Sequence, residues 1–319
     1  MLASIGIFAE TRRGSKRRRF ELTPMASLLQ SESKNSVRNF ALMFGLESFK
    51  KAMDDLSYSI KSGGNSFKHA NGMEIYEYFE QNQKEAQIFN SAMASLTSSH
   101  ASMISSMYDF SQFNTIIDIG GGQGMFLSRI LKDNANLHGI LFDLPHAIQS
   151  AKKLYSKESA NVNDNSVHGI LSRFKSIEGD FFKSIPVVGA DGYIIKNVIL
   201  NWDDESAAII LKNCLQVMKG SISSSSSSSS LINENHPNLK RTSPKLLIID
   251  TIMPEGNEPF IGKFTDIIML ALTYRGKIRT EMEFRKLLDS CGFDITDIIR
   301  SRDPPNFLSI IEATPSSSS

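Results

Sequence analysis

The chain has 319 residues, of which 41% are hydrophobic and 22% charged, a balance typical of soluble globular domains. Its net charge of +1 provides no global field to attract nucleic acid or an anionic membrane, and no apolar run reaches the roughly 20 residues needed to cross a bilayer. The two cysteines, Cys214 and Cys291, lie in apolar patterns, which argues against a disulfide framework and favours a reducing, cytoplasmic compartment.

The first 30 residues predict a β-hairpin followed by the start of a helix. Gly14 lies in a turn between Phe8 and Phe20, and Thr23-Pro24 has a favoured N-cap residue before a proline at the first helical position. This order is typical of the wing of a winged-helix module. The basic residues of the turn allow a nucleic-acid or nuclear-import patch, but we favour a solvated wing turn. They are Arg12, Arg13, Lys16, Arg17, Arg18 and Arg19.

Two kinds of periodicity divide the rest of the chain. Residues 25–110 have apolar side chains at helical spacing, and beyond them short apolar strands alternate with helices. This alternation predicts a Rossmann-like, doubly wound and mostly parallel sheet. One amphipathic helix is predicted over 204–218, and a capping box of Thr280 and Glu283 starts another that ends before Gly292. The predicted strands are Thr115–Ile119, His138–Phe142, Phe174–Glu178, Gly192–Ile195, Lys245–Ile249 and Ser309–Ala313, the last as an edge strand.

These patterns predict two parts of the chain. Residues 1–100 are expected to form a helical winged-helix region, and residues 101–315 the sheet domain. The serine run Ser223–Ser230 buries too little apolar area to offset its ordering entropy. Its place between a helix and a strand predicts a disordered surface insertion over 220–244 with no catalytic role.

A glycine-rich turn follows the first predicted strand. In the segment TIIDIGGGQGMF, Gly120, Gly122 and Gly124 come between Asp118 and a helix. Glycines are needed where the backbone bends sharply and a ligand approaches it closely. Such a turn alone is weak evidence, since dinucleotide enzymes share it. Met125 stands where the third glycine of the dinucleotide fingerprint would be, which argues against a nicotinamide cofactor.

Two further acidic residues follow the turn, each at the end of a strand. Asp143 ends the second strand, where a carboxylate can accept both hydroxyls of a ribose. Asp180-Phe181 follows the third strand, where the carboxylate can accept from an adenine amino group while the ring packs on the base. A single aspartate often merely ends a strand, but three in order favour an adenosine-containing cofactor.

Five ordered motifs resemble the small-molecule O-methyltransferase family, which includes plant caffeate and flavonoid enzymes and bacterial polyketide-tailoring enzymes. The resemblance covers nearly the whole chain and implies a seven-stranded Rossmann-like domain preceded by a winged-helix dimerisation domain. It also implies S-adenosylmethionine as cofactor, a small hydroxylated acceptor and a homodimer; no Cys/His spacing suggests a metal site. The motifs are DIGGGQG, LFDLPHAI, EGDFF, IIKNVILNWDDE and GKIRTEMEF.

Relatives have further helices before the segment matching MLASIGIF, so we expect a truncated dimerisation region and a weakened dimer.

The resemblance also implies which residues form the site. The implied cofactor contacts are Gly120, Gly122, Gly124, Asp143, Asp180, Phe181 and Lys196. Segments that line the acceptor pocket in relatives contain Phe89, Asn90, Met93, Ile268, Met269 and Thr273, although packing in a helix core is an equally good interpretation of each.

The position of the general base departs from the family. Members with a base have His-Asp-Trp, whereas this chain has Leu200-Asn201-Trp202, and a glutamate usual in the G-x-x-R-T segment is Ile278. Loss of a base costs roughly 10²–10⁴ in rate when a proton moves in the transition state. Alignment of the acceptor with the methyl group can supply on the order of 7–11 kcal/mol. We therefore expect O-methyl transfer by proximity, with Asn201 and Asp250 as candidate catalytic residues.

Several alternatives stay open at the level of sequence. Asn201 can hydrogen-bond an acceptor or cap the helix that follows it. The L-N-W variant is similar to anthracycline-tailoring relatives, one of which hydroxylates its substrate. A hydroxylase- or pericyclase-like enzyme, an inactive cofactor-binding protein and a nucleic-acid-binding protein are therefore rival functions. The candidate replacement bases are His100, the best placed, then His69, His146, Tyr108 and Asp109.

Overall fold

The computed structural model describes residues 1–11, 18–33, 36–161, 169–186, 189–227, 243–273, 275–301 and 307–317. Most of the basic turn, with Arg12, Arg13, Gly14, Lys16 and Arg17, lies outside these ranges, as do residues 228–242 of the predicted insertion. None of the helices within the ranges combines the length and the apolar character needed to cross a membrane.

The N-terminal hairpin is formed as predicted. Strands β1 (Phe8–Thr11) and β2 (Arg19–Leu22) pair antiparallel, and the short helix α1 (Pro24–Ser27) follows. Thr23 is its N-cap, because the hydroxyl oxygen accepts a hydrogen bond of 3.2 Å from the Ala26 N–H.

Six further helices occupy the predicted helical region. Their apolar faces meet in one core, which also takes in a later helix, α11 (Ile261–Leu272), through Ile268, Ala271 and Leu272. The N-terminal part is therefore packed directly against an element of the sheet domain. The six helices are α2 (Arg38–Phe44), α3 (Glu47–Asp54), α4 (Leu56–Ser62), α5 (Ser66–Asn71), α6 (Ile75–Gln81) and α7 (Gln83–Met107).

Helix α7 crosses residue 100, where the sequence predicts the domain boundary. Its first half packs in the N-terminal core through Ala86 and Ala92, and its second half packs under the sheet through Ala101 and Ile104. The change of core thus falls between residues 92 and 101, and a single helix joins the two parts.

The seven-stranded sheet has the order β5-β4-β3-β6-β7-β9-β8, of which the first five strands are parallel. Alternate residues of each strand face different cores, as Ile194 and Ile195 do, so helices cover both faces. This confirms the Rossmann-like fold class. The strands are β3 (Thr115–Ile119), β4 (His138–Asp143), β5 (Phe174–Glu178), β6 (Gly192–Lys196), β7 (Lys245–Thr251), β8 (Phe293–Arg300) and β9 (Leu308–Pro315).

The edge strand is not the one that the sequence predicts. The segment Ser309–Ala313 lies inside β9, which pairs antiparallel with both β7 and β8, so its prediction as an edge strand is wrong. The edge on this side of the sheet is β8, which was not predicted because Asp294, Asp297 and Arg300 interrupt its apolar pattern. Charged residues are typical of a sheet edge, since one side of such a strand faces water.

Four more helices of the sheet domain have all their residues within the described ranges: α8 (Met125–Asp133), α9 (Pro145–Asn161), α10 (Asp204–Ser227) and α12 (Glu281–Ser290). Helix α10 continues through residues 220–227 and so overlaps the first residues of the predicted insertion. Serine costs a helix only about 0.5 kcal/mol relative to alanine, which lets an established helix run on into the serine tract. The capping box of α12 is confirmed, with Thr280 and Glu283 each bonded to the other's backbone N–H.

Candidate functional site

Strand order reverses between β3 and β6, and the carboxyl ends of both strands lie at one edge of the sheet. In open parallel sheets this crevice is where ligands bind. The strand ends bring together Asp118 of β3, Asp143 of β4, Lys196 of β6 and Asp250 of β7. The structure therefore places four charged side chains, spread over more than 130 residues of the chain, around one crevice.

The glycine turn has a backbone that other residues rarely adopt. Gly120, Gly122 and Gly124 have φ angles of 73°, 61° and 74°, in the left-handed region that favours glycine. A Cβ at Gly121 would lie 2.4 Å from Oδ2 of Asp118, whereas a Cβ at Gly122 would meet no atom within 4 Å. The turn is thus packed tightly against β3 on one side and open at Gly122.

Asp143 is bonded directly to this turn. Its Oδ2 accepts a hydrogen bond of 2.7 Å from the Gly122 N–H, and its Oδ1 accepts one of 2.7 Å from the Leu144 N–H. Burial raises the pKa of Asp143, while these two bonds oppose the shift. The side chain of Tyr76 in α6 is 57% exposed, and its pKa is raised by desolvation of the hydroxyl and then by the charge of Asp143. Sequence reasoning did not single out Tyr76.

Asp118 is a buried carboxylate whose two oxygens have no hydrogen-bond partner among the described residues. Burial raises its pKa to about 7, against the opposing charge of Lys196. Burial lowers the pKa of Lys196 to about 8, against Asp118 and Asp250, and its Nζ lies 5.7 Å from the centre of the Phe126 ring. Because an unpaired buried carboxylate is costly, Asp118 is suited to a ligand that brings a positive charge.

Asp180 and Phe181 lie close to the glycine turn. Oδ1 of Asp180 accepts a hydrogen bond of 2.9 Å from the Phe182 N–H, and its Oδ2 lies 3.7 Å from the Lys183 Nζ. Phe181 lies over the turn, since a Cβ at Gly120 would be 3.4 Å from its ring. The third predicted strand end thus faces the same glycine turn as the first two.

A 3-10 turn over Ile199–Asn201 carries the position at which relatives have a base. Leu200 is buried, its N–H donates to Oδ2 of Asp250 over 3.2 Å, and its carbonyl accepts from the Lys277 N–H over 2.9 Å. Asp250 is 1% exposed and also accepts from the Thr251 N–H over 2.7 Å. Burial raises the pKa of Asp250 to about 7 against these bonds and the charge of Arg279.

Asn201 does not cap the helix that follows the turn. Its amide Nδ2 donates to the Asn197 carbonyl over 3.1 Å, closing the turn on itself. The cap of α10 is Asp203, whose Oδ1 accepts from the Ser206 N–H over 2.9 Å. Of the two interpretations of Asn201 that sequence left open, capping is wrong, and contact with an acceptor stays a prediction.

Arg279 supports the turn that carries Leu200, and sequence reasoning missed it. Its side chain is fully buried and donates from Nη1 to the Ile199 carbonyl (3.0 Å), from Nη2 to the Trp202 carbonyl (2.8 Å) and from Nε to Asp204 (2.9 Å). The guanidinium therefore holds both ends of the turn that contains Leu200. Its place in the GKIRTEMEF motif was the available signal, but the sequence did not reveal its partners.

The predicted acceptor residues are brought together only in part. Phe89 and Met93 of α7 and Ile268 and Met269 of α11 share the N-terminal core, where Phe89 lies 4.8 Å from Phe79 between ring centres. Asn90 faces outwards and is exposed. Their packing is compatible with either interpretation given above, core or pocket wall, so their acceptor role stays a prediction.

The end of α11 meets the turn that carries Leu200. Thr273 donates from Oγ1 to the Met269 carbonyl over 2.7 Å. A Cβ at Gly276 would lie 2.2 Å from this hydroxyl oxygen and 2.7 Å from the Leu200 carbonyl oxygen. Gly276 therefore allows the predicted acceptor wall to touch the turn.

Of the candidate replacement bases, His100 lies close enough to Lys196 of the crevice to interact with its charge. It is buried, its Nδ1 has no partner among the described residues, and burial followed by the charge of Lys196 lowers its pKa to about 4. His69 is bonded to Asp55 and stacks on Tyr58, and His146 is exposed beside Asp143. Tyr108 donates to Glu312, and Asp109 caps a 3-10 turn. Within the described ranges no group of acidic, histidine or cysteine side chains could hold a metal ion.

Comparison with known proteins gives consistent results. A sequence model described as an O-methyltransferase domain matches residues 53–294. A phenazine O-methyltransferase from Lysobacter antibioticus is 34% identical over 98% of this chain and 80% of its own length. The crystal structure of the mitomycin 7-O-methyltransferase MmcR superposes with a TM-score of 0.77 at 27% identity, covering 99% of this chain and 81% of that one. That of CalO1, a methyltransferase of calicheamicin biosynthesis in its SAH-bound form, gives 0.74 at 25% identity with the same coverage.

Proposed function

The chain belongs to the O-methyltransferase family and is an S-adenosylmethionine-dependent enzyme. From this premise we propose that it methylates a hydroxyl of a small aromatic molecule by aligning that hydroxyl with the methyl group of the cofactor, without a general base. The single observation that carries the proposal is the turn at Leu200. It is held by hydrogen bonds to Asp250 on one side and Arg279 on the other, yet the side chain at its centre, that of Leu200, is a hydrocarbon.

The residues of the crevice fit the cofactor. S-adenosylmethionine supplies a methyl group activated by a positively charged sulfur and carries a second positive charge on its amino group. Asp118, buried without a partner, is suited to that charge, and the open side of Gly122 lets the backbone approach a ligand. We assign Asp143 to the ribose and Asp180 with Phe181 to the adenine, as the family resemblance implies. Lys196 is close enough to both Asp118 and Asp250 to interact with their charges.

In a site without a base, alignment of the acceptor hydroxyl with the methyl group has to supply the rate acceleration. Aligning two reacting groups can be worth on the order of 7–11 kcal/mol, which exceeds the contribution of a general base. The predicted acceptor wall on α7 and α11 is apolar and aromatic, with Phe89, Met93, Ile268 and Met269 in one packed cluster. Such a wall suits a flat aromatic acceptor. The similar proteins reported above include a phenazine O-methyltransferase and a mitomycin 7-O-methyltransferase, in keeping with a small-molecule acceptor.

Transfer of a radiolabelled methyl group tests the function. The protein is incubated with methyl-labelled S-adenosylmethionine and a panel of phenols, naphthols and hydroxylated heteroaromatics, and we expect labelled ether products. Replacement of Asp143 by Asn, which removes the carboxylate placed for the ribose, should abolish labelling. Cofactor binding without any labelled product would indicate an inactive binding protein, and an oxidised product without label would indicate the hydroxylase-like rival.

The proposed assembly is a homodimer in the cytoplasm. Phe20, Leu22 and Met25 of the N-terminal hairpin and α1 are each more than half exposed, which is costly for a protein without a partner on that face. A second copy of the chain is the occupant that the family resemblance implies. The two cysteines, both free and buried, are compatible with a reducing compartment.

A further inference from the structure

Methylation of a neutral hydroxyl releases the hydroxyl proton, which another group must accept. The acceptor oxygen forms a bond to the methyl carbon, the carbon–sulfur bond breaks with its electron pair going to sulfur, and the hydroxyl proton must leave to a base or to water. A resident base would take it at the moment of transfer. What the acceptor must be therefore depends on whether any described group can act as that base.

The turn next to the acceptor wall offers no base. Leu200 and Ile278 have hydrocarbon side chains, and both are buried. The amide of Asn201 is not basic, and its nitrogen already donates to the Asn197 carbonyl. Two positions at which relatives place ionisable side chains are thus closed to proton transfer.

The two buried carboxylates of the crevice are not available as bases. Asp250 is 1% exposed and presents no oxygen to an acceptor in the crevice, while Asp118, equally buried, is the carboxylate proposed to face the positive charge of the cofactor. Both oxygens of Asp250 accept backbone N–H groups, from Leu200 and Thr251. Moving Asp250 towards an acceptor would release the turn that it holds.

The two nitrogen bases, His100 and Lys196, have pKa values that do not suit removal of a phenol proton at pH 7. His100 is a neutral imidazole whose pKa of about 4 lies far below that of an ordinary phenol, about 10 as in tyrosine. Lys196, with a pKa of about 8, is mainly protonated at pH 7 and cannot accept a second proton. A positive charge at Lys196 does, however, favour a negatively charged oxygen nearby.

We propose that the acceptor is an acidic hydroxyl, a phenol or enol whose own pKa lies at or below the working pH because an electron-withdrawing group is conjugated to it. Its proton is lost to water before binding, so transfer needs no base. The inference rests on the proposed function and narrows its substrate class.

A series of acceptors of one size and graded acidity tests this inference. At pH 7 and saturating cofactor, a phenol of pKa about 7 should have a kcat/KM about 10²–10³ times that of an isosteric phenol of pKa about 10, because only about one molecule in 10³ of the latter is ionised. For each acceptor kcat/KM should rise with pH and level off near that acceptor's own pKa. An inflection that follows the acceptor distinguishes it from Asp118 or Lys196, which would give one common inflection.

Two variants at one position sharpen the test. Leu200→His places an imidazole on the held turn and should raise kcat/KM for the weakly acidic phenol by about 10²–10⁴, while changing that of the acidic phenol by less than about threefold. Leu200→Gln is the matched control, since it adds a polar group of similar size without a base, and should give no such gain. Thermal melting and cofactor binding establish that both variants are folded.

A second measurement does not depend on turnover. An acidic nitrophenol titrated onto the protein without methyl donor should show the absorbance of its anion when bound at pH 7.5. Binding of the neutral form, or equal kcat/KM for acidic and ordinary phenols with no pH dependence between pH 6 and 9, would overturn the acidic-acceptor inference alone. No labelled product from any acceptor, with the labelled cofactor bound, would overturn the proposed function as well.

Discussion

At the scale of single residues, Asp118 combines a cost to the folded protein with a use in binding. Its carboxyl group is buried beside Lys196 and lacks hydrogen-bond donors, so its ionised form is poorly stabilised when no cation is bound. A ligand with a positive charge removes that cost. Residues that destabilise the free protein and strengthen a complex are characteristic of binding sites.

Replacing Asp118 by Asn should therefore stabilise the protein and weaken the complex. The folded pKa of Asp118, about 7, lies above its unfolded value of about 3.9, so its ionisation removes stability as the pH rises between these values. At pH 8 we expect the variant to gain on the order of 2 kcal/mol in unfolding free energy, and at pH 5 to gain much less. Urea unfolding at both pH values measures this.

Cofactor affinity should change in the opposite direction. Below pH 7 protonation of Asp118 should weaken S-adenosylmethionine binding in the parent, and Asp118→Asn should bind at least about tenfold more weakly at pH 8, with little pH dependence. Titration calorimetry measures both, with the exposed Asp54→Asn as control. A variant that binds as tightly as the parent would remove Asp118 from the cofactor site.

Gly276 is a second single residue on which the site depends. It lies between Thr273 and the Leu200 carbonyl, with no space for a methyl group. Gly276→Ala should displace the turn, lowering kcat/KM by at least about tenfold and the unfolding free energy by about 1–3 kcal/mol. Gly169→Ala, where a Cβ would meet nothing within 4 Å, is the matched control and should leave both unchanged. Equal behaviour of the two variants would contradict the contact.

At the scale of elements, the turn over Ile199–Asn201 is stabilised by its neighbours more than by its own sequence. The start of α12 presents Arg279, whose carbonyl accepts from the Met253 N–H over 2.8 Å. The capping box at Thr280 then fixes the helix that follows. Strand β7, the turn and α12 are thereby joined into one support for the position of Leu200.

Arg279→Lys should loosen this support although the charge is kept. A lysine has one nitrogen and cannot bond the Ile199 carbonyl, the Trp202 carbonyl and Asp204 in the planar arrangement of a guanidinium. We expect a loss of about 3 kcal/mol in unfolding free energy, measured by urea denaturation, and a lower kcat. The exposed Arg285→Lys, which pairs with Glu281, should change neither by more than a few tenths of a kcal/mol. If Arg279→Lys also lowered the unfolding free energy by no more than a few tenths of a kcal/mol, the turn would not need the guanidinium of Arg279.

At the scale of the whole molecule, the N-terminal hairpin and α1 present the largest apolar side chains left uncovered near the start of the chain. Phe20 is 57% exposed and Leu22 51% exposed, and both lie on β2 of a two-stranded sheet. Isolated two-stranded sheets are marginal in water. A second copy of the chain would cover this surface, as the proposed homodimer requires.

Charges on β2 should dissociate that dimer. Phe20→Asp combined with Leu22→Asp is expected to shift the sedimentation coefficient from dimer to monomer, because two carboxylates would be buried unpaired in the interface. Ile209→Asp on α10, where the isoleucine is 47% exposed, is the matched control and should sediment as the parent does. A parent that is monomeric at micromolar concentration would contradict the proposed assembly.

What the sequence determined by itself is local. Glycine in a left-handed turn, a threonine cap and buried parallel strands each follow from the conformational and solvation preferences of a few neighbouring residues, so β3 to β7, the turn at Gly120 and the capping box at Thr280 were predictable. The loss of the base at Leu200 was visible because it is a change of side-chain type within a motif.

Only the tertiary structure decided what depends on partners distant in the chain. That β9 lies inside the sheet and β8 at its edge is a matter of pairing, which the charges of β8 concealed. The three acceptors of Arg279 and the bond from Leu200 to Asp250 each join residues 50 or more positions apart. That Asp118 has no hydrogen-bond donor likewise depends on which distant residues pack around it. Burial and hydrogen bonding of this kind are properties of the packed chain, because they depend on which groups exclude water from one another.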